Sequence, residues 1–406
     1  MSEGMLKTDI TIVGAGLVGL SAAVAMRNAG YEVVLVDRQL HGADNTLPEG
    51  DADWDQRIYA ISPKNAQWLN DLGVWSLLDS TRIGEMHAME IWGDAGAQPL
   101  SLLAEDVNAD DLGFIIEERA LKKALMRQVE VRGVRTLFGN PCAALNMAPG
   151  QARLQLDNGQ VIESALLVAA DGVHSWVRQQ LGIAVEQKDY RQTAIVANFI
   201  TEKPHGNIAR QWFRQDGADA DAGGHCGILA WLPLPGNKIS IVWSAPARYA
   251  DTLMQLDDAA FTSEVMCAGN AALGRLTMMG APAAFPLALK KAVAVVQGNV
   301  VLAGDAAHRI HPMAGQGVNL GFRDIVDLVG VLSGRHSLQP IYDDSLLKRY
   351  TRARKADLSN MLMLTNGLYH LFESQNPVVR TVRNWGLSAT NRQAIKKELV
   401  KQAIAL

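Results

Sequence analysis

The feature that most constrains the fold is a glycine fingerprint between two apolar runs near the start of the chain. The β-branched run 9–13 leads directly into the glycines of residues 14–19, and residues 17–29 follow as a segment rich in small side chains. A second β-branched run, 32–36, ends on Asp37. A strand, a helix and a second strand in this order predict a parallel βαβ unit that binds a dinucleotide where its first strand ends.

Each glycine of the fingerprint has its own role in such a unit. Gly14 permits the tight turn, Gly16 lets the backbone approach a pyrophosphate, and Gly19 lets the helix pack closely on the strand. The first helical turn offers N–H groups and partial positive charge to phosphate, and an acidic residue after the second strand accepts hydrogen bonds from ribose hydroxyls. The predicted dinucleotide-binding residues of this unit are Gly14, Gly16, Leu17, Gly19, Asp37 and Arg38.

Two later fragments also end an apolar run in glycine and aspartate. The first, 165–172, closes with Asp171 and a glycine, and the second, 299–305, closes with Gly304 and Asp305. Ligands of open α/β sheets bind at the carboxyl ends of the strands, so a carboxylate there can reach a sugar-like chain such as ribityl. Both fragments are therefore predicted to contact the bound dinucleotide.

The loop after the second fragment contains residues that keep a chain open. Pro312, Gly315 and Gly317 lie in it, and Val318 and Asn319 begin a predicted helix. The positive N-terminus of that helix would face the electron-rich pyrimidine end of a flavin. The three fragments together touch both ends of one long dinucleotide, which indicates FAD held inside the protein.

At these motifs the sequence resembles a known family, the class A flavoprotein aromatic hydroxylases typified by para-hydroxybenzoate hydroxylase. The resemblance covers nearly the whole chain in the order and spacing of the glycine fingerprint, the DG motif and the GD motif. Several segments are similar in particular to the ubiquinone-biosynthesis hydroxylases: 55–62, 69–75, 231–235, 240–244 and 304–324.

Two positions depart from that pattern, and the resemblance implies cofactor-binding roles for two arginines. Many relatives carry Glu where this chain has Asp37, and relatives often carry Arg or Asn where it has Glu118. The resemblance implies that Arg119 contacts the pyrophosphate. It also implies that Arg57 lies near the adenosine and pyrophosphate region, the alternative being an ordinary surface ion pair.

The resemblance implies an α/β fold with three parts. A discontinuous Rossmann-like FAD-binding domain is expected at 1–75, 106–185 and 286–345. A second, mainly antiparallel-sheet substrate domain is expected at 76–105 and 186–285, and a helical C-terminal segment at 346–406. Within these parts the residue patterns predict strands at 193–201, 209–214, 227–234 and 238–244, and helices at 251–267, 347–373 and 391–404.

The activity implied by the resemblance is aromatic hydroxylation. NAD(P)H, bound transiently without a Rossmann domain of its own, would reduce non-covalently held FAD. O2 would then form a C4a-hydroperoxide that oxygenates a prenylated phenol or quinol of ubiquinone biosynthesis. Three alternatives remain open: a hydroxylase of a soluble aromatic compound, a flavin-dependent reductase, and a non-catalytic flavoprotein subunit of a complex with other ubiquinone-biosynthesis proteins. No side chain stands out as a catalytic base.

Composition excludes several other classes of protein. The net charge of -4 argues against a general nucleic-acid binder, and the three cysteines lack the paired spacing of a disulfide framework or zinc site. His308 and His311 lie in one loop rather than on one helix face, so no metal site is expected.

The distribution of charge and apolar residues bears on membranes. The chain lacks an uncharged apolar run of the roughly 18 to 20 residues that a spanning helix needs, and we expect a cytoplasmic protein. From residue 345 onward, however, 11 Lys and Arg stand against 3 Asp and Glu. Such a basic end favours peripheral contact with the inner face of a membrane, a partner-protein surface, or a solvated helical face.

Overall fold

The computed structural model describes residues 5–40, 54–93, 99–215, 226–309 and 317–373, the last twelve of these as helical backbone only. The strands, in chain order, are β1 Leu6–Val13, β2 Val33–Asp37, β3 Ile58–Ile61, β4 Gly84–Met86, β5 Ala88–Trp92, β6 Leu100–Leu103, β7 Gly113–Glu117, β8 Arg135–Phe138, β9 Cys142–Ala148, β10 Gln151–Leu156, β11 Val161–Ala169, β12 Val185–Thr201, β13 Ile208–Gln215, β14 Cys226–Leu234, β15 Lys238–Pro246, β16 Leu276–Ala292, β17 Val296–Gln297, β18 Val300–Leu302 and β19 His308–Arg309. The helices are α1 Leu17–Asn28, α2 Pro63–Asp71, α3 Glu118–Val131, α4 Trp176–Gln180, α5 Ala247–Met254, α6 Asp258–Ala268, α7 Gly317–Ser333 and α8 Asp344–Glu373.

The first sheet places the three predicted motifs side by side. Its order is β17-β18-β11-β1-β2-β8, with β10 and β9 continuing from β11. β1 pairs in parallel with both β2 and β11, and β11 pairs in parallel with β18. Parallel strands end at the same edge, so the glycine fingerprint after β1, the DG motif after β11 and the GD motif after β18 meet at one edge of the sheet.

Both faces of this sheet are buried, as expected for parallel strands. Ile10 and Ile12 pack into a core shared with α1, α3 and α7, whereas Val34 and Leu167 pack into a second core on the other face. Continuous β-branched runs with little alternation are what such two-sided burial requires. The predicted strands at the start of the chain are confirmed.

The second sheet is mainly antiparallel, with the order β19-β16-β12-β15-β14-β13-β5-β6. Its strands alternate: Leu229 and Trp231 of β14 face a core with α5 and α6, and Ile228 and Ala230 face the other way. The four predicted strands of this sheet are confirmed, three of them longer than predicted by one or two residues. The fourth, β12, begins at Val185, eight residues before its predicted start. The fold class, an α/β protein with a second antiparallel sheet, is confirmed.

A third, smaller sheet has the order β3-β7-β4. Ile115 of β7, Trp54 and Leu234 of β14 belong to one apolar cluster that joins this small sheet to the second sheet.

One predicted helix is divided in two. The segment 251–267 was expected to be one helix, but α5 ends at Met254 and α6 begins at Asp258. The break arises because the Asp257 side chain accepts a hydrogen bond from the N–H of Ala260 at 2.8 Å, which caps a new helix. The helix predicted at 347–373 is confirmed as α8, and the one predicted at 391–404 lies outside the described residues.

The predicted domain boundaries remain proposals, and one of them meets a continuous strand. β16 runs from Leu276 to Ala292 and pairs with β12 along most of its length. The proposed boundary at residue 286 therefore falls within a strand of the second sheet.

Candidate functional site

The glycine turn after β1 is built so tightly that two of its glycines cannot be replaced. Gly14 has φ +104°, and a Cβ there would overlap the backbone of Ala170. A Cβ on Gly19 would overlap the carbonyl oxygen of Gly14. A Cβ on Gly16 would meet no atom within 4 Å, because this glycine borders an open cleft. The protein itself does not require a glycine at position 16, so the space beside it is available to a ligand.

Asp37 supports this turn. Its Oδ2 accepts a hydrogen bond from the N–H of Ala15 at 2.5 Å, and its Oδ1 accepts one from Gln39 N–H at 2.7 Å. Asp37 is half-buried at the carboxyl end of β2, and Arg38 beside it is exposed. The carboxylate predicted to hold a ribose thus already has a structural role in the turn.

The DG motif is held by the short helix that follows it. Asp171 accepts a hydrogen bond from Val177 N–H at 3.0 Å, and burial raises the pKa of its carboxyl group above the ordinary range. Arg178, one residue further, donates to the carbonyls of Ala306 at 2.8 Å and Val173 at 2.9 Å. This buried arginine connects the DG motif to the GD motif, a role that no local pattern indicated.

The GD motif turns sharply into the cleft. Gly304 has φ +58° and lies against Val18 of α1. Asp305 faces the cleft, where the surrounding protein raises the pKa of its carboxyl group, an effect that Arg309, His308 and Arg57 oppose. A carboxylate in this position is suited to accept hydrogen bonds from a bound ligand.

Below the GD motif lies a buried group of charges. Asp324 of α7 accepts a hydrogen bond from Gly304 N–H at 2.7 Å and lies 2.9 Å from the Nε2 of His308. Nε of Arg354, in α8, lies 2.6 Å from the same carboxylate. Burial opposes ionisation of Asp324, yet His308 and Arg354 hold the pKa of its carboxyl group below the ordinary value. The group ties α8 to the backbone beside Asp305.

The start of α7 places two of the predicted cofactor-binding residues in the cleft and a third inside the protein. Gly317 and Val318 line the cleft. The side chain of Asn319 is buried, donates to the Ala60 carbonyl at 2.7 Å and accepts from Ser62 N–H at 3.0 Å. Asn319 therefore joins α7 to β3, and its side chain is directed into the protein. Pro312 and Gly315 lie outside the described residues.

A cleft of about 530 Å³ joins these motifs to the second sheet. It is lined by residues of the glycine turn, the DG and GD motifs, β3, α7 and the inner face of the second sheet. The residues predicted to bind the cofactor that line it are Gly16, Leu17, Arg57, Asp305, Gly317 and Val318.

Polar groups are concentrated along one side of the cleft. Arg57 lies 3.4 Å from Glu118, which also accepts a hydrogen bond from the Tyr59 hydroxyl at 3.1 Å. Burial and the Glu118 charge raise the pKa of Tyr59 far above its ordinary value, so this phenol stays protonated. The Arg57 guanidinium also lies 5.4 Å from the centre of the Phe285 ring, on the opposite wall.

Arg119 does not line the cleft. Its backbone N–H donates to Asp55 at 3.1 Å, and its guanidinium lies 3.8 Å from Asp55 and from Glu117. Glu117 is fully buried and forms a two-point ion pair with Arg82 at 2.7 and 2.9 Å. Arg119 thus belongs to a network of charges behind Arg57.

The opposite wall is formed by alternate residues of the second sheet and is largely apolar. Its lining residues are Ala194, Val196, Gln211, Ile228, Ala230, Leu232, Ser240, Val242, Ser244, Phe285, Leu287 and Ala288. Most are small or aliphatic, and the polar ones are Gln211 and two serines. Such a wall suits a flat apolar ring.

Away from the cleft, ligand atoms of Glu85, His87 and Asp111 lie within 4.8 Å of one another. Glu85 and His87 are exposed, and no sequence pattern indicated this group. Exposed carboxylates commonly gather without an ion, so no metal site follows from it.

Comparison with known proteins identifies the class. A family model described as FAD binding domain matches residues 7–365, and the chain belongs to this family of FAD-binding flavoproteins. It is 34% identical over 403 residues to 3-demethoxyubiquinol 3-hydroxylase of Escherichia coli (strain K12), covering 98% of this chain and 99% of that protein.

Two further relatives are also named for ubiquinone hydroxylation or biosynthesis. The chain is 32% identical to ubiquinone hydroxylase UbiL of Rhodospirillum rubrum, over 96% of this chain and 88% of that protein. It is 29% identical to the mitochondrial ubiquinone biosynthesis monooxygenase COQ6 of Homo sapiens, over 97% and 91%. The protein is a flavoprotein aromatic monooxygenase related to the ubiquinone hydroxylases, as its motifs predicted.

Solved structures share the fold. p-Nitrophenol 4-monooxygenase PnpA of Pseudomonas putida DLL-E4 superposes with a TM-score of 0.75 at 15% identity, covering 98% of this chain and 99% of that one. A single-substitution variant of HpxO of Klebsiella pneumoniae, complexed with FAD, gives a TM-score of 0.72 at 16% identity, over 98% of each chain. Among the described residues, no helix combines the length and apolarity needed to cross a membrane.

Proposed function

We propose that the protein hydroxylates the aromatic ring of a prenylated phenol or quinol in ubiquinone biosynthesis, using FAD, NAD(P)H and O2. One observation carries the proposal: a single cleft joins the three dinucleotide motifs to an apolar sheet wall. The activities for which the 34% and 32% identical relatives are named support the substrate class.

The residues of the cleft fit FAD. The open space beside Gly16 receives the pyrophosphate, to which the first turn of α1 offers N–H groups and partial positive charge. Asp37 is assigned to the adenosine ribose and Asp305 to the ribityl chain. The N-terminus of α7 at Gly317 and Val318 is assigned to the pyrimidine end of the flavin.

When bound, FAD would supply the redox chemistry, in which NAD(P)H is the hydride donor, one oxygen atom of O2 enters the ring and the other leaves as water. The protein binds, orients and excludes water. Ala194, Val196, Ala230 and Val242 offer the substrate ring a dry surface. The Arg57 guanidinium lies between this wall and the polar side of the cleft, where it is placed to meet phosphate groups of FAD or of NAD(P)H.

We further propose that the basic C-terminal segment brings the enzyme to its substrate. A prenylated phenol is poorly soluble in water, so the enzyme must collect it from a bilayer or a carrier protein. Clustered basic residues near an anionic leaflet contribute about 1 kcal/mol each. The residues concerned lie outside the described part of the chain: Arg380, Arg383, Arg392, Lys396, Lys397 and Lys401.

Two measurements test the proposed function. Heat denaturation of the purified protein should release FAD, and release of FMN would contradict the cofactor assignment. With a short-chain prenylated phenol, consumption of O2 and NAD(P)H should match formation of the hydroxylated ring. Hydroxylation of small soluble phenols with no turnover of the prenylated compound would instead indicate a hydroxylase of soluble aromatics.

A further inference from the structure

A buried hydrogen-bond acceptor lies unsatisfied at the edge of the apolar wall. Asn198 of β12 is 2% exposed, and its Nδ2 donates to the carbonyls of Asp55 at 3.1 Å and Trp54 at 3.5 Å. Only the NH2 end of an amide can donate to two carbonyls, so the orientation of the side chain is determined. Its Oδ1 is enclosed and has no hydrogen-bond partner among the described residues.

Ser240 lies directly across the sheet from this acceptor. Asn198 and Ser240 are paired residues of the antiparallel strands β12 and β15, and paired side chains on one face have Cβ atoms about 4.5–5.5 Å apart. Ser240 lines the cleft, whereas Ile239 and Ile241 on either side face the opposite core. The serine thus stands between an enclosed acceptor and the space for the substrate ring.

The Ser240 hydroxyl has one donor and two acceptor sites. In the present arrangement it does not donate to Asn198 Oδ1, but rotation about χ1 moves a serine hydroxyl between staggered positions. If it turns toward Oδ1, its proton is used and its lone pairs remain for the cleft. The group that such an oxygen selects is an O–H donor, which a phenol has and an aryl ether lacks.

We propose that Ser240, oriented by Asn198, accepts a hydrogen bond from the hydroxyl of the phenolic substrate and so positions the ring against the cofactor. The identity of the ligand as a phenol rests on the proposed function. Leu232 and Val242, which line the cleft beside Ser240, then contact the ring itself. Ser240 is a positioning residue for the substrate, and Asn198 acts through it.

The same strand supplies a matched control. Ser244 lies on the same face of β15 and also lines the cleft, but its paired residue on β12 is Ala194, which carries no acceptor. Replacing either serine by alanine removes one hydroxyl from the wall. Only Ser240→Ala removes a hydroxyl opposite an amide.

The test compares binding of a prenylated phenol and its methyl ether to the FAD-bound enzyme by calorimetric titration. The wild type should prefer the phenol by about fivefold or more, as one hydrogen bond predicts. Ser240→Ala should lose this preference, Ser240→Thr should keep it, and Ser244→Ala should keep it. Equal affinities in the wild type, or an undiminished preference in Ser240→Ala, would overturn the proposal.

A second ligand pair separates this inference from the proposed function. A short alkylphenol and its ether carry the same ring groups without the prenyl tail. If the enzyme binds only the short pair, the prenylated substrate class is wrong, and the loss of preference in Ser240→Ala still decides the role of the serine. Retention of bound FAD and an unchanged far-UV spectrum establish that each variant is folded.

Discussion

The guanidinium of Arg354, in the last described helix, lies 2.6 Å from the carboxylate of Asp324, and both side chains are almost fully buried. The same carboxylate accepts a hydrogen bond from the N–H of Gly304, which is next to Asp305 in the cleft. The C-terminal helix is therefore joined electrostatically to the backbone that faces the cofactor site, and the first prediction concerns this pair.

Arg354→Met should lower the free energy of unfolding by about 3–5 kcal/mol, because it leaves the buried Asp324 charge with His308 alone and also removes the pairs of Arg354 with Asp327 and Asp357. The control is Lys348→Met in the same helix, which removes an exposed pair with Asp344 and should cost about 0.5 kcal/mol or less. Urea denaturation of both variants measures the difference. Equal effects would show that burial of the Arg354 pair has no energetic consequence.

The Asp324 pair also predicts a dependence on pH. His308 and Arg354 hold the folded-state pKa of Asp324 below its unfolded value of about 3.9, so its stabilisation is complete above that pH. The stabilisation is lost as the pH falls through the folded-state value. The gap in unfolding free energy between wild type and Asp324→Asn should therefore be wider at pH 6 than at pH 3. A gap independent of pH would refute this assignment, and Asp344→Asn, exposed in α8, serves as the control.

Gly16→Ala should separate cofactor binding from folding. The added methyl group meets no protein atom, so the apoprotein should unfold at an unchanged or slightly higher urea concentration, while FAD binding falls sharply. Gly19→Ala is the contrasting variant, since its methyl group overlaps the Gly14 carbonyl and should prevent correct folding. FAD titration monitored by flavin fluorescence measures the first effect. Full FAD affinity in Gly16→Ala would place the pyrophosphate elsewhere.

Asp305→Ala should weaken FAD retention more than Asp37→Ala. Asp305 lines the cleft and is exposed there, so bound FAD would enclose its carboxylate, and a charge-assisted hydrogen bond contributes about 1.5–3 kcal/mol in such a position. The Asp37 carboxylate, by contrast, already accepts hydrogen bonds from the N–H groups of Ala15 and Gln39. The measurement is the FAD content of each purified variant after dialysis. Similar FAD content in the two variants would contradict this order.

Neutralising the six basic residues of the C-terminal segment should abolish salt-sensitive binding to anionic vesicles. The residues are Arg380, Arg383, Arg392, Lys396, Lys397 and Lys401. Attraction to anionic lipid is screened by salt, so wild-type co-sedimentation should be strong at low salt and weak at high salt. Binding that the six substitutions leave unchanged would exclude the lipid interaction and favour a protein partner.

Local chemistry made the βαβ unit, the four strands of the second sheet and helix α8 predictable from sequence. The glycine turn is a case in point, because the steric demand on Gly19 arises from the carbonyl of Gly14 within the motif, and the positive φ of Gly14 belongs to the turn itself. The close contact of Gly14 with Ala170, by contrast, depends on the pairing of β1 with β11. The single helix predicted at 251–267 failed because Asp257 is also a good cap, and hydrophobic periodicity alone did not reveal that it starts a new helix.

The sequence by itself determined the family, the cofactor class and the three motifs that contact one dinucleotide. Only the tertiary structure decided which charged and polar groups meet. Arg178 joins two motifs, Arg354 reaches Asp324, Asn319 turns away from the cleft, and Asn198 faces Ser240. Motifs and strands follow from interactions within a few residues, which a sequence records directly. Partners separated by tens to hundreds of residues are set by how whole sheets and helices pack, and no local pattern specifies that.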